Sequence, residues 1–480
     1  MIEHERPIES VQPTALSRLI SAVFDAWANA GVHFLVLRNY EGLPQTTTND
    51  IDVLVAKPHL ALAEQVLVAT AAEQDFYLVN RAEFVPVSMH FANPETTEQV
   101  HFDLFVDLRW HCFEFIRAED FLNRKVQRGN FWVPHPADEA CTNLLGNLIY
   151  KGRVREKYKR GVVAALRVHT NAARALLAES YGEKRAQTIV RLAAQEKWAE
   201  LEAMAKQLRR ALVLRLFTRR PVQTIRAVCA DAARLLRRTL HPAGFMVIVL
   251  GPDGSGKSTI APAILQGLTG TFYAAKSVHY HWKPKLLRRA RRDAELISTD
   301  PHGKPPRNLL LSLVFFGLHW AEFVLGAVAK IYPALFRGGL VLVERYYHDF
   351  FVDQARYRLR VPKLLVRLGL VFVKKPDLVL VLDAPVETLR ARKQEVSPGE
   401  TERQRNAYLE LANQTPNAVV LDANQPAEQV ATEAVRVVLG ALAARAYRRL
   451  PAHLRKLFPE TGTAPTQPQN SGQTGTTTSR

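Results

Sequence analysis

Hydrophobic and polar positions follow three successive patterns along the 480-residue chain. Over 1–136, helical apolar spacing is mixed with short apolar strands, which predicts an α/β domain. Over 137–241, the spacing is helical throughout. Over 242–447, short runs rich in β-branched residues alternate with helical segments, which is typical of a parallel sheet covered by helices on both faces. We predict that the polar tail, 448–480, is disordered.

Two predicted strands of the first region carry carboxylates. Asp50 and Asp52 share one face of their strand because side chains alternate along it, and Asp103 and Asp107 share a face of the strand over 100–110. Paired carboxylates with a third from a neighbouring strand suit a two-Mg²⁺ site for phosphoryl or nucleotidyl transfer. The alternative is a solvated strand face. We take Asp50, Asp52 and Asp107 as candidate metal ligands.

A glycine-rich loop follows the first strand of the third region, and its spacing is G-x-x-x-x-G-K-S. This is the pattern of a phosphate-binding loop between a strand and a helix, where backbone amides and the positive helix end face an anion. Lys257 would reach the β- and γ-phosphates, and Ser258 would bind Mg²⁺. The residues predicted to bind the nucleotide are Gly251, Asp253, Gly254, Ser255, Gly256, Lys257, Ser258 and Thr259.

An apolar segment over 309–329 is long enough to span a bilayer. His319 and Glu322 interrupt it, and a strand with polar residues at its end follows directly. We therefore expect a buried helix of the third region and keep a transmembrane span as the alternative.

Charge is concentrated in the middle of the chain. The net charge is +18, and residues 151–240 hold 22 Lys and Arg against 7 Asp and Glu. A solvated helix face explains such charge, and the functional alternative is a surface for an anionic membrane or a polyanion. The sequence has no nucleic-acid reading motif, so we expect no sequence-specific nucleic-acid binding.

The cysteines and the N-terminus indicate the compartment. Cys112, Cys141 and Cys229 have no metal or redox spacing, so we expect reduced thiols. The charged start of the sequence lacks the apolar core of a secretory signal. We expect a cytoplasmic protein, either free or peripheral to the inner face of the membrane, and a homodimer remains open.

The third region resembles the thymidylate kinase family. Four blocks match in order: GPDGSGKST, VERYY, PDLVLVLDAPVETLRARK and VVLDAN. The resemblance implies a P-loop kinase that uses ATP and Mg²⁺. It implies that Arg345 holds the phosphate of the acceptor and that Glu344, in place of the family's aspartate, acts near Mg²⁺ or the acceptor. It places Arg392, Arg403 and Arg405 in the lid, where an arginine would neutralise the transferred phosphoryl group.

The acceptor block departs from that family. Where the family carries Arg-x-Pro-Gly, this chain reads VHYHWKP, with His279, His281 and Trp282. We therefore expect a nucleoside monophosphate other than thymidine monophosphate, or another phosphorylated, possibly sugar-linked, acceptor.

The first region resembles the minimal nucleotidyltransferase fold through DIDVLV and VDLRW. The family's Gly-Ser pair ahead of the first aspartate is replaced by Arg38-Asn39-Tyr40 and a threonine run. The function predicted for the whole chain is an ATP- and Mg²⁺-dependent phosphotransferase, with an N-terminal domain that either transfers nucleotidyl groups or only binds a ligand. The alternative is an ATP-binding regulatory or assembly protein that docks on a membrane surface or a polyanion.

Overall fold

The computed structural model describes residues 13–47, 50–284 and 305–457. Their packing forms two compact units. The first contains 13–91, 100–237 and 450–457, and the second contains 92–99 and 238–449.

The first unit begins with the predicted helix, α1 (Ala15–Asn29), and the Thr14 hydroxyl accepts a hydrogen bond from the Ser17 amide at 3.1 Å. The strands that follow are β1 (Phe34–Val36), β2 (Ile51–Val55), β3 (Tyr77–Glu83), β4 (Val87–Ala92) and β5 (Gln99–Phe105). They form one sheet in the order β1-β2-β5-β4-β3, in which β2 pairs antiparallel with β1 and parallel with β5. Helix α2 (Leu60–Glu73) connects β2 to β3.

The strand predicted over 100–110 is two strands in the structure. β5 ends at Phe105, and β6 (Leu108–Trp110) turns away to form a hairpin with β7 (Phe113–Ile116). Helix α3 (Ala118–Asn123) and a second hairpin, β8 (Val126–Arg128) with β9 (Phe131–Val133), complete this part.

The region over 137–241 is helical in the structure, as its apolar spacing predicts. Its members are α4 (Pro136–Lys151), α5 (Glu156–Val168), α6 (Thr170–Tyr181), α7 (Glu183–Ala194), α8 (Trp198–Ala203), α9 (Ala205–Arg219) and α10 (Pro221–Leu240). Leu144, Leu148 and Leu166 pack in one buried cluster with Leu54 and Leu108 of the strands. The helices and the sheet of this unit therefore share a hydrophobic core.

The second unit is a parallel α/β layer structure, as the alternation of strands and helices predicts. Its strands are β10 (Phe245–Leu250), β11 (Val278–Tyr280), β12 (Leu340–Glu344), β13 (Leu378–Asp383) and β14 (Ala418–Asp422). They pair in parallel in the order β11-β12-β10-β13-β14. Every residue of β10 and β12 is buried, because helices cover both faces of the sheet.

The helices of the second unit follow its strands along the chain. They are α11 (Lys257–Gly267), α12 (Leu309–Gly326), α13 (Tyr332–Phe336), α14 (Asp349–Val352), α15 (Lys363–Leu370), α16 (Val386–Arg392), α17 (Pro398–Asn413) and α18 (Ala427–Arg448).

The apolar segment over 309–329 is helical but only partly buried. Helix α12 continues through a π-helical turn (Ala327–Ile331) into α13, and the whole stretch is long and apolar enough to cross a membrane by length and composition. Phe323 is fully buried, whereas Leu310 is 73% exposed. Helix α12 is therefore buried, as expected, along one face and exposed along the other.

The first residues of the predicted tail include a short helix. Helix α18 ends at Arg448, and a short helix, α19 (Ala452–Arg455), follows it. Leu450 and Leu454 are buried, so apolar side chains hold 450–457 in the first unit. The remainder of the predicted tail, 458–480, lies outside the described residues.

We predict that Gly244→Ala destabilises the second unit. An added Cβ would lie 2.5 Å from the Gly339 carbonyl oxygen and 2.6 Å from the Leu335 Cα, and backbone atoms there have little room to move. Overpacking of this kind costs about 1–3 kcal/mol of unfolding free energy, measured by denaturant unfolding. Gly440→Ala is the control, because it lies inside α18 with open space around it and should stabilise by about 0.5–1 kcal/mol. Equal stability of the two variants would contradict the packing argument.

Candidate active site

The predicted phosphate loop connects β10 to α11. Gly251 and Gly254 have φ angles of 144° and 83°, which side-chain-bearing residues rarely adopt. A Cβ at Gly251 would also lie 2.6 Å from the Leu382 carbonyl oxygen. Helix α11 begins at Lys257, so its first amides face the loop and favour an anion there.

Lys257 is buried inside the loop. Its Nζ donates to the carbonyl oxygens of Gly251 and Pro252, both at 2.7 Å. Burial is the main reason that the pKa of Lys257 falls to about 7; Arg345 also lowers this pKa, and Asp253 acts in the opposite direction. The amine is therefore held against loop carbonyls, and a phosphate would restore its full charge.

Glu344 ends β12 beside the loop. Its Oε2 accepts from the Ser258 hydroxyl at 3.0 Å, and its Oε1 lies 2.9 Å from His279 Nε2 and 3.0 Å from His281 Nδ1. Burial favours a higher pKa for Glu344, but the hydrogen bonds from His279 and Ser258 outweigh it and lower the pKa. Hydroxyl and carboxylate oxygens are ligands that Mg²⁺ accepts, so Ser258 and Glu344 fit the cation of a bound nucleotide.

Asp253 of the loop is paired with two arginines. The guanidinium groups of Arg345 and Arg356 both contact its carboxylate. Burial opposes ionisation of Asp253, but Arg345 and Lys257 outweigh it and hold the pKa of Asp253 well below its usual range. Arg345 has a φ of 48°, a left-handed conformation that a non-glycine residue keeps only where its surroundings enforce it.

Behind Arg345, the carboxylate of Asp349 is fully buried. It lies 3.6 Å from Arg345 and accepts from the hydroxyls of Tyr408 at 2.9 Å and Tyr357 at 3.1 Å. Burial raises the pKa of Asp349, and Arg345 opposes that rise. These contacts fix the guanidinium that faces the loop.

Arg356 was not predicted from the sequence. It lies in a 3₁₀ turn (Ala355–Tyr357) between α14 and α15, outside the blocks that suggest a site. Its side chain is 7% exposed and also contacts Asp353 and Glu395. A cation three residues after Asp353 is a weak sequence signal, and only the fold brings it to the loop.

The three predicted lid arginines are bound elsewhere. Arg392 donates to the Ala423 carbonyl at 2.9 Å, Arg403 pairs with Glu400, and Arg405 binds Asp383 at 2.7 Å. Each is occupied by a partner of its own, so this structure does not bring them to the phosphate loop.

In the first unit, Asp103 takes the position predicted for Asp107. Asp103 lies opposite Asp52 in the parallel pairing of β2 with β5. Asp107 lies two residues beyond the end of β5, at the opposite end of the pairing, and contacts Arg109 at 3.1 Å. The prediction that Asp107 joins Asp50 and Asp52 is wrong, because β5 ends before it.

Cations of the chain already bind this carboxylate cluster. His101 lies between Asp50 and Asp103, with 2.9 Å contacts to each, and Arg38 binds Asp52 at 2.6 Å. Burial would lower the pKa of His101, but hydrogen bonds to Asp103 and Asp50 outweigh it and raise the pKa to about 9. The ring therefore carries a positive charge between the two carboxylates at neutral pH.

The parallel sheet, the phosphate loop at the carboxyl end of its central strand and the charged residues around it define a P-loop kinase. The family model for thymidylate kinase matches residues 249–434. Thymidylate kinase of Thermosynechococcus vestitus is 31% identical over 225 residues, which cover 42% of this chain and 89% of that relative. This chain therefore belongs, through its C-terminal half, to the thymidylate kinase family.

Two further matches cover a similar share of this chain. Thymidylate kinase of Xanthomonas euvesicatoria pv. vesicatoria is 28% identical over 225 residues, which cover 43% of this chain and 88% of the relative. The crystal structure of thymidylate kinase from Ehrlichia chaffeensis matches 41% of this chain and 100% of its own, at 18% identity and a TM-score of 0.32.

We predict that nucleotide binding takes up protons near pH 8. With a pKa of about 7, the Lys257 amine is mostly neutral there, and the phosphates of ATP favour its ammonium form. Calorimetric titration with ATP in two buffers of different ionisation enthalpy measures the uptake. Lys257→Arg is the control, since its guanidinium stays charged across this range. Equal proton uptake in both proteins would contradict the assignment.

Proposed function

We propose that the second unit transfers the γ-phosphoryl group of ATP, with Mg²⁺, to an acceptor that carries a phosphate or a similar anion. The observation that carries this proposal is the contact of Arg345 with Asp253 of the phosphate loop. The residues belong to the carboxyl ends of adjacent strands, β12 and β10, where ligands of open α/β sheets bind. An acceptor phosphate held by Arg345 would therefore lie next to the nucleotide.

The nucleotide side of the site would use the loop amides, Lys257 and Ser258. Mg²⁺ would be held by Ser258 and Glu344 and would neutralise phosphate charge. Lys257 would leave the carbonyls of Gly251 and Pro252 for the β- and γ-phosphates. Gly254, Ser255, Gly256 and Thr259 would supply the curled backbone of the cradle.

The acceptor side would use the two arginines on Asp253. A planar guanidinium binds a phosphate dianion bidentately, and Arg345 and Arg356 both hold one against Asp253. An arriving dianion would share these donors with the carboxylate. For the lid we propose that Arg392, Arg403 or Arg405 exchanges its present partner for the transferred group when both substrates are bound.

We propose an acceptor other than thymidine monophosphate, although the relatives are named thymidylate kinases. Trp282 stacks on Tyr357 with ring centroids 4.7 Å apart, and Lys283 pairs with Glu322. These side chains come from the block that departs from the family's Arg-x-Pro-Gly. Because Trp282 and Lys283 differ from the family's residues, we propose that they line a different acceptor pocket.

For the N-terminal sheet, we propose a nucleotidyltransferase-like ligand site at Asp50, Asp52 and Asp103. The parallel pairing of Asp52 with Asp103 supports it. The bonds from His101 and Arg38 to these carboxylates favour the non-catalytic alternative, in which the site binds a ligand without transferring a nucleotidyl group.

A peripheral role at an anionic membrane surface is a second candidate function. Helix α10 exposes Val222 (60%), Ile225 (54%) and the basic side chain of Arg226, and the exposed Arg219 ends α9 just before it. Apolar and basic residues together on one exposed helix are typical of helices that lie in a lipid interface.

We predict that Arg345→Lys damages acceptor use far more than ATP use. Loss of a bidentate charged hydrogen bond costs about 1.5–3 kcal/mol, or roughly 10- to 150-fold in kcat/KM for the acceptor. Labelled ATP and a panel of phosphorylated acceptors measure it on the full chain, with Arg367→Lys on the exposed face of α15 as the control. Normal acceptor kinetics in Arg345→Lys would defeat the role of Arg345, and efficient phosphorylation of thymidine monophosphate would defeat the proposed acceptor.

We predict that binding to vesicles containing phosphatidylserine weakens steeply with salt, because exposed charges are screened over about 8 Å at physiological ionic strength. Replacing Val222 and Ile225 with serine should reduce binding further at every salt concentration. Co-sedimentation measures both effects. If binding is insensitive to salt and to these substitutions, the apolar helix Leu309–Phe336 would be the segment that binds the membrane.

A further inference from the structure

Two histidines and a carboxylate converge beside the phosphate loop. The ligand atoms of His279, His281 and Glu344 all lie within 4.8 Å of one another. The Ser258 hydroxyl adds an oxygen through its 3.0 Å hydrogen bond to Glu344. The cluster therefore offers two imidazole nitrogens and two kinds of oxygen.

The parallel pairing of β11 with β12 explains this arrangement. Tyr280 lies opposite Val343, so the next residues, His281 and Glu344, are neighbours across the strands. His279 shares the face of His281, because side chains alternate along a strand. His279 thus lies on the edge strand β11, and His281 is the first residue after that strand.

The donor set differs from one made for Mg²⁺ alone. Mg²⁺ prefers oxygen ligands and keeps several waters, whereas imidazole nitrogen suits zinc and other first-row transition ions. We propose that His279, His281, Glu344 and Ser258 form a binding site for a divalent transition ion such as Zn²⁺ at the edge of the phosphate loop. The chain binds this ion before any nucleotide arrives, at the place beside Ser258 and Glu344 that Mg²⁺ takes in the proposed function once ATP is bound.

The distances from Glu344 to the two histidines are close to those around such an ion. Metal bonds of about 2.0–2.2 Å in a tetrahedral site separate neighbouring ligand atoms by about 3.3–3.6 Å. The Glu344 oxygen now lies 2.9 Å from His279 Nε2 and 3.0 Å from His281 Nδ1. A widening of a few tenths of an ångström is enough, and His281, with its side chain 79% exposed, has room to move.

The role of this ion at a nucleotide phosphate rests on the proposed function, because Ser258 belongs to the phosphate loop. The existence of the metal site does not rest on the proposed function, because the site needs only the four side chains. Metal binding without nucleotide therefore tests the site, and phosphoryl transfer tests the proposed function.

The experiment uses the full chain, stripped with a chelator and dialysed against Zn²⁺, with bound metal measured by elemental analysis. Co²⁺ is the spectroscopic probe, since its visible absorption reports nitrogen and oxygen ligands. The variants are the double substitution His279→Ala/His281→Ala and the single substitution His281→Ala, whose exposed side chain leaves folding intact. Circular dichroism checks that each variant is folded.

Two control variants separate this site from other histidines. His241→Ala removes an exposed histidine outside both clusters. His101→Gln removes the ring between Asp50 and Asp103, which is a second group that could hold a metal. Both controls should keep the metal equivalent assigned to His279 and His281.

We expect the double variant to lose one Zn²⁺ equivalent and the single variant to bind it at least tenfold more weakly. Unchanged metal content in the double variant, or loss only in His101→Gln, would overturn the site, as would a wild-type chain that binds no Zn²⁺. Metal bound at His279 and His281 without phosphoryl transfer to any acceptor would leave the site standing and defeat the proposed kinase function.

Discussion

The ion pair between Asp253 and Arg345 joins the phosphate loop to the end of the neighbouring strand, and the geometry of the site depends on it. A carboxylate and a guanidinium in buried surroundings are tolerated only when each is paired. Asp349 lies behind Arg345 and Arg356 lies on the other side of Asp253, so each charge has a partner. The stability from ionised Asp253 is present above the ordinary aspartate pKa and is lost as the pH falls toward its depressed pKa.

The pairing of Arg345 with Asp253 also explains the left-handed backbone at Arg345. After Glu344 the chain must leave β12 and still direct a long side chain back toward the loop. The Arg345 amide donates to the Val249 carbonyl at 3.3 Å, which fixes the turn at the last residues of β10. Strain at such a position is stored by the packed strands around it, and it places a cation where an anionic ligand can reach it.

Both units balance carboxylates with cations of the chain, but in different ways. In the second unit, Arg345 and Arg356 share Asp253, and each also lies beside a further carboxylate, Asp349 and Asp353 respectively. In the first unit, Arg38 binds Asp52 and His101 lies between Asp50 and Asp103, so two cations face three carboxylates. The chain itself therefore compensates two of the three carboxylate charges, which reduces the attraction of this cluster for Mg²⁺.

The sequence determined the features that depend on neighbours along the chain. The spacing of Gly251, Gly256, Lys257 and Ser258 predicts the strand–loop–helix unit, because helix start, glycine turn and buried strand are local. The tertiary structure decided which distant side chains meet. It placed Asp103 rather than Asp107 beside Asp52, because β5 ends at Phe105, and it brought Arg356 to Asp253 from a turn without a motif. Pairing register and charge compensation are set by the whole fold, and no local pattern encodes them.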